Sequence, residues 1–152
     1  LRLKMNKYFL LSLLFLLLAC ESNTLYHSFH PIETTGWKRN DTLIYTIPKT
    51  VFANHPLFEI GIRHKDSYPY RDIWLSINHS GKTDTIHLYM ANTNGRWKGH
   101  GIGETRQYSE ELTNVNLNDA TDSLSVIKLI HIMQDSILNG ISDIGIHIKE
   151  KP

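Results

Sequence analysis

Catalysis needs nucleophiles, paired acids and bases, or metal ligands, and this 152-residue chain spaces its candidates poorly for any of them. Nine histidines are present. His27 and His30 stand three apart in a segment that reads as irregular, while His87, His131 and His147 are single in strand-like runs. No His-Glu-x-x-His or paired Asp/His set occurs, so solvated or internally satisfied histidines are expected, with no metal and no cofactor. Glu110, Glu111, Asp119 and Asp122 lie in polar, loop-like sequence. A glycosidase would need two carboxylates facing each other across a cleft, and a serine hydrolase a Gly-x-Ser-x-Gly elbow that this chain lacks. Gly99, Gly101 and Gly103 invite a phosphate-loop reading, which requires a following helix whose N-terminus faces the anion. Here Glu104 to Tyr108 reads as extended or irregular, and no Gly-Lys-Ser/Thr follows. The glycines are better explained by a bulged, close-packed turn from which Arg96 and Trp97 project. The chain is expected to be no enzyme.

Aromatic and cationic residues offer recognition instead. In Tyr68-Pro69-Tyr70-Arg71-Asp72-Ile73-Trp74, Pro69 fixes its own φ and biases Tyr68 towards extended geometry, which makes a rigid corner into the next strand. Counting from Ile73, Tyr70 and Trp74 fall off the main apolar face. They could form an exposed platform for sugar rings or a partner. They could equally fill the second side of a sandwich or cover its edge, and this is the favoured reading because large aromatics are mostly buried. Tyr68, Tyr70, Arg71, Trp74, Arg96 and Trp97 together form the candidate interaction surface, with Arg71 or Arg96 stacked on an indole as an ordinary structural contact.

The single cysteine has a different chemistry. Cys20 ends an apolar run, Tyr8 to Ala19, that follows Arg2, Lys4 and Lys7. A basic start, an apolar stretch and a small residue before the cut are the layout of a secretory signal peptide, with Met5 as its expected start. The stretch is twelve residues, about 18 Å as a helix against a hydrocarbon core of ~30 Å, too short to span. Leu17-Leu18-Ala19-Cys20 resembles a lipoprotein lipobox. In that reading residues 1–19 are removed, the Cys20 sulfur carries a diacylglycerol, and the new amino group is acylated. One chain holds a protein only marginally, at ~0.8 kcal/mol per buried methylene, whereas three hold it for good. No thiol then remains for disulfides, zinc or nucleophilic catalysis.

Without residues 1–19 the chain has 133 residues, with 13 basic against 15 acidic, a net charge of −2. That is enough for one domain. It leaves no electrostatic footprint for nucleic acid and no polybasic patch for anionic lipid. The membrane is to be reached through Cys20. Residues 20–25 are expected as a lipidated tether and 26–152 as the domain.

Period-two alternation runs through that domain. Leu43, Tyr45 and Ile47 share a face, as do Phe58, Ile60 and Ile62; Ile73, Leu75 and Ile77; Ile86, Leu88 and Met90; and Ile144, Ile146 and Ile148. Turn signals separate the runs, among them Pro48, Pro56, Asn94-Gly95 and Asn139-Gly140, and His79 to Thr83 reads as a hairpin. Leu124 to Met133 is apolar on both faces, which suggests a central or bulged strand. Ser109 to Asp122 reads as a loop, and a short helix is expected around Gln134 to Leu138. Such spacing without βαβ alternation predicts an all-β fold, a single antiparallel β-sandwich domain, with an open barrel as the rival.

Several motifs occur in an order that matches one family. Tyr26-His27-Ser28, Gly36-Trp37 before Asp41-Thr42, Tyr68 to Trp74, Asp84-Thr85-Ile86, Gly95-Arg96-Trp97-Lys98-Gly99 and Leu138 to Gly145 resemble the gliding-motility lipoprotein GldH family of Bacteroidetes. The stretch between Gln107 and Val126 carries none of these motifs. The resemblance implies a cell-envelope lipoprotein, placed at the outer membrane by analogy, an accessory or scaffold component of gliding machinery linked to type IX secretion. It implies envelope protein partners and no catalytic residues. The alternative function is an envelope glycan-binding module using Tyr70, Trp74 and Trp97.

Overall fold

The computed structural model describes residues 23–53, 55–113, 115 and 124–151. The signal segment and the first half of the expected tether, Cys20 included, lie outside them. Eleven strands are described: β1 (Thr24–Pro31), β2 (Trp37–Lys38), β3 (Leu43–Pro48), β4 (Leu57–Lys65), β5 (Asp72–His79), β6 (Lys82–Tyr89), β7 (His100–Ile102), β8 (Thr105–Glu111), β9 (Leu124–His131), β10 (Ile137–Leu138) and β11 (Ile141–Lys149). A 3-10 turn, Lys49–Phe52, follows β3.

These form two antiparallel sheets in the orders β1-β11-β4-β8-β7 and β3-β9-β5-β6, with a small β10-β2 ribbon. Their apolar faces meet in one core, as expected of a sandwich. Each alternating set supplies inward side chains: Tyr45, Ile47, Ile60, Ile62, Ile73, Leu75, Ile77, Met90, Ile144 and Ile148 are closed to solvent. Burying one such side chain is worth roughly 1.5–3 kcal/mol. The fully buried Tyr45 also stitches the sheets together, its hydroxyl donating to the Ile144 carbonyl at 2.7 Å. Burial pushes that phenol well above its ordinary range.

The His79 to Thr83 hairpin forms as expected, with Ser80 and Gly81 both at positive φ (47° and 74°). Positive φ at both central residues gives the turn the hand that matches strand twist. β9 lies between β3 and β5 and keeps register with both, so the central reading of Leu124 to Met133 is right and no bulge is needed.

Three local expectations are corrected. Ser109 to Glu111 is not loop but the end of β8, paired with β4 through Glu59↔Glu111 and Gly61↔Ser109. Its polar residues mislead because the outer side of this sheet is polar; the rest of the expected loop lies largely outside the described residues. Gln134 to Leu138 is not a helix, for Ile137 and Leu138 pair with Lys38 and Trp37. His27 and His30 stand in a regular strand, β1, against β11.

Two glycine positions fix the geometry. Gly61 and Gly145 face each other across β4 and β11, and the Phe29 ring lies over both. A Cβ would meet that ring at 2.7 Å from Gly61 and 2.6 Å from Gly145. Gly140 combines φ +87° with a backbone approach that would put a Cβ 2.8 Å from the Tyr68 Cα, so only glycine suits it.

Candidate interaction surface

The six residues expected to form one surface are divided by the fold. Tyr68 is only 3% exposed. Its hydroxyl donates to the Asp72 carbonyl at 2.9 Å, bracing the corner that Pro69 begins. Trp97 is half-buried, with His64 4.4 Å and Tyr68 6.4 Å away between ring centroids. His64 is itself closed to solvent, and burial lowers its pKa. Tyr68, His64 and Trp97 are therefore an internal knot.

Tyr70 is half-buried and donates to an Asp135 carboxylate oxygen at 2.7 Å. That hydrogen bond raises the phenol pKa, and it ties the Pro69 corner to the segment after β9. The platform of Tyr70, Trp74 and Trp97 thus does not assemble: the burial favoured for Tyr70 and Trp74 holds for Tyr70 alone, and Trp97, expected to project from the glycine turn, instead packs against the core. Arg71 does not stack on an indole: its guanidinium donates to the Thr93 carbonyl at 3.0 Å. Arg96 is exposed, and its backbone amide donates to the Asn94 side-chain oxygen at 3.2 Å. Gly99 and Gly101 lie so close to β8 that a Cβ would meet the Gln107 and Thr105 carbonyl oxygens at 2.3 and 1.8 Å. The close-packed turn, rather than a phosphate cradle, explains them.

Trp74 is the one large aromatic of the six that reaches solvent, 40% exposed. Opposite it on β6 is His87, whose ring stacks on the indole at 3.8 Å and 12°. His87 Nε2 is held by Asp72 at 2.6 Å, and Tyr89 leans on the His87 ring at 4.2 Å. Trp74 belongs to a wider apolar band on the outer side of the four-stranded sheet. Val126 and Ile130 lie on β9 with Lys128 between them, and Ile132 follows directly after the strand. Trp74 adjoins Ile132, whose amide donates to the Trp74 carbonyl at 2.9 Å. Ile44 pairs with Lys128 on the other flank. Ile44, Trp74, Tyr89, Val126 and Ile132 are between 40% and 55% exposed. The sequence signal for the band was the two-faced apolar stretch of β9, whose outward half is not covered by any described element.

The outer side of the five-stranded sheet is built differently. Glu59 holds Lys149 at 2.7 Å and His147 at 3.5 Å. His147 Nε2 meets Thr24 Oγ1 at 2.9 Å, and Arg63 reaches Gln107 at 3.1 Å while lying 4.3 Å over Phe29. Partial burial, with Lys149 and His27 nearby, lowers the His147 pKa. Among the described residues no three His, Cys, Asp or Glu side chains gather as a metal ion would require. No described helix is long and apolar enough to cross a membrane.

No solved structure matches this chain. A curated relative, the gliding motility lipoprotein GldH of Flavobacterium johnsoniae, is 22% identical over 155 residues, covering 96% of this chain and 97% of its own. Because the family model for GldH lipoproteins matches residues 24–148, nearly the whole described sandwich, the chain belongs to the GldH lipoprotein family.

Proposed function

We propose that this protein is a non-catalytic accessory subunit of an envelope machine for gliding motility, linked to type IX secretion and held at the outer membrane by lipid on Cys20. Its partner docks on the outer face of the four-stranded sheet. The observation that carries this reading is the uncovered apolar band of Ile44, Val126, Ile132, Trp74 and Tyr89. Single apolar residues on a surface mean little, but several gathered on one sheet face, here broken only by Lys128 and His87, are the usual mark of an interface. The carboxylates and histidines do not compete with it. Asp72 holds His87, Asp84 holds His79, and Glu59 holds Lys149, so each is used within the sheets.

The anchor sets the geometry. β1 starts four residues after Cys20, a leash of at most about 14 Å. The end of the sandwich where Leu25, Thr50, Pro56 and Lys151 meet therefore faces the bilayer, and the apolar band rises alongside it. A Cys20→Ser variant is expected to keep its fold and leave the membrane fraction on carbonate washing; retention there would overturn the lipid anchor. The docking test is a photo-crosslinking residue at Ile132 or, on the other sheet, at Gln107 in cells, followed by affinity purification and mass spectrometry. Crosslinks to envelope subunits from Ile132 alone, lost with Cys20→Ser, are expected. Equal yields from both positions would refute the docking face.

A further inference from the structure

A second recognition feature lies at the edge of the apolar band, where the chain leaves β6. Tyr89, the most exposed aromatic ring of the sheet at 55%, separates two hollows. The larger, about 720 Å³, is lined by Tyr89, Ala91, Asn92, Thr93, Asn94 and Lys98. The smaller, about 160 Å³, adds Arg71 and Asp72 beside the same ring. We propose that this groove binds a sugar ring carrying an anionic substituent, with Tyr89 as the stacking platform and Lys98 as the counter-charge.

The chemistry of the lining argues for this ligand. The apolar C–H face of a pyranose packs on the electron-rich face of an aromatic ring. Its hydroxyls both donate and accept, which the Asn92 and Asn94 amides and the Thr93 hydroxyl can match. Lys98 adds a cation to the larger hollow, its ammonium lying over both the Tyr89 ring at 6.0 Å and the Tyr108 ring at 5.8 Å, and no carboxylate lines that hollow. In the smaller one, Arg71 adds a second cation, while the Asp72 carboxylate is already held by His87.

The groove is also preformed, so little ordering cost opposes binding. Residues 91–97 close into a tight loop. Ala91 bridges Trp97, the Asn92 amide donates to the Arg96 carbonyl at 2.8 Å, and the Gly95 amide donates to the Asn92 carbonyl at 2.9 Å. The Lys98 amide donates to the Met90 carbonyl at 2.8 Å, and Arg71 clamps the Thr93 carbonyl from outside. Tyr89 is buttressed by His87, which is itself stacked on Trp74. This site is distinct from the platform of Tyr70, Trp74 and Trp97 suggested by the sequence, because Tyr89 keeps the open ring that Tyr70 and Trp97 have lost to packing.

Saturation-transfer NMR on the full-length lipoprotein in detergent micelles tests it, with trigalacturonate as the acidic probe and maltotriose as the neutral one. Transfer to the pyranose C–H protons of trigalacturonate is expected, several-fold stronger than to maltotriose. Tyr89→Ala should reduce it at least fivefold and Tyr89→Phe should preserve it, both with an unchanged circular dichroism spectrum. Lys98→Met should weaken trigalacturonate about tenfold and abolish its advantage over maltotriose. Absence of transfer to trigalacturonate, transfer that survives Tyr89→Ala, or equal transfer to the two sugars would overturn the proposal.

Discussion

The two outer faces of this sandwich solve the same problem in opposite ways. On the five-stranded sheet, charged side chains project outward and find partners on neighbouring strands: Glu59 with Lys149 and His147, Arg63 with Gln107 and Phe29. On the four-stranded sheet, isoleucine, valine and aromatic residues project outward and stay about half in water. The first face has already satisfied its groups and would lose those bonds by docking. The second has apolar surface still to bury, at ~25 cal/mol per Å². The contrast separates a face that stabilises the fold from one that is available to another molecule.

The largest effect should come from disturbing the polar face where it is thinnest. Gly145→Val would drive a side chain into the Phe29 ring, which already lies within 2.6 Å of a built Cβ. Phe29 must then leave Gly61 and Arg63 as well. A loss of about 2–4 kcal/mol is expected, as for other severe packing conflicts, read as a lower urea midpoint for the detergent-solubilised protein. Ser76→Val, outward on the central part of the other face, should change stability by no more than ~0.5 kcal/mol. Equal losses at the two positions would erase the distinction between the faces.

Next comes the docking band. Ile132→Asp places a charge in the band beside Trp74 while leaving the core untouched, so the unfolding midpoint should barely move. Recovery of envelope partners should drop at least tenfold, about 1.4 kcal/mol or more, the scale of a residue central to an interface. Gln107→Ala on the opposite face should change nothing. Partner recovery that is insensitive to Ile132→Asp would move the interface elsewhere.

The histidines sharpen the comparison through pH. Burial lowers the pKa of His64 and of His131, and partial burial that of His147. Their folded states then bind fewer protons than the unfolded chain, whose histidines titrate near ~6.5. Stability is complete above that value and declines as pH falls below it towards the lowered folded pKa values. His131 donates through Nε2 to the Trp37 carbonyl at 3.0 Å and leaves Nδ1 buried without a partner. His131→Gln should therefore flatten the acid limb of a stability profile measured from pH 7.5 to 5, and an unchanged slope would assign that limb to other groups.

Much of the fold was legible because period-two alternation records directly which side chains face a core. Leu43-Tyr45-Ile47 and Ile144-Ile146-Ile148 needed no tertiary information to be read. β8 was not legible, because it sits near the sheet edge with polar residues pointing outward, and its pairing with β4 comes from backbone bonds that composition does not encode. β10 was missed for a related reason: a two-residue ribbon lies below the length at which periodicity can be seen. The aromatic surface was only partly legible. Alternation correctly placed Trp74 outward but could not show that Trp97 folds back onto His64, since that contact closes across 33 residues of chain. Tyr89 carried the same outward signal as Trp74, one strand later. The Asn94-Gly95 signal marks a turn after it, but not that the loop folds back beside the Tyr89 ring to line a hollow there.

The smallest effect tests whether the polar face is as self-sufficient as its geometry suggests. Glu59→Gln removes the carboxylate that meets Lys149 at 2.7 Å and His147 at 3.5 Å. All three side chains are about a quarter exposed, so solvent screens the pairs and the expected cost is only ~0.5 kcal/mol. A second readout is more sensitive than stability. Glu59 is one of the groups that raises the His147 pKa against burial, Lys149 and His27. Without it, NMR titration of the His147 ring should move further down. A His147 titration that stays where it was would mean that Glu59 does not act on that ring, and the polar face would be less self-sufficient than its contacts suggest.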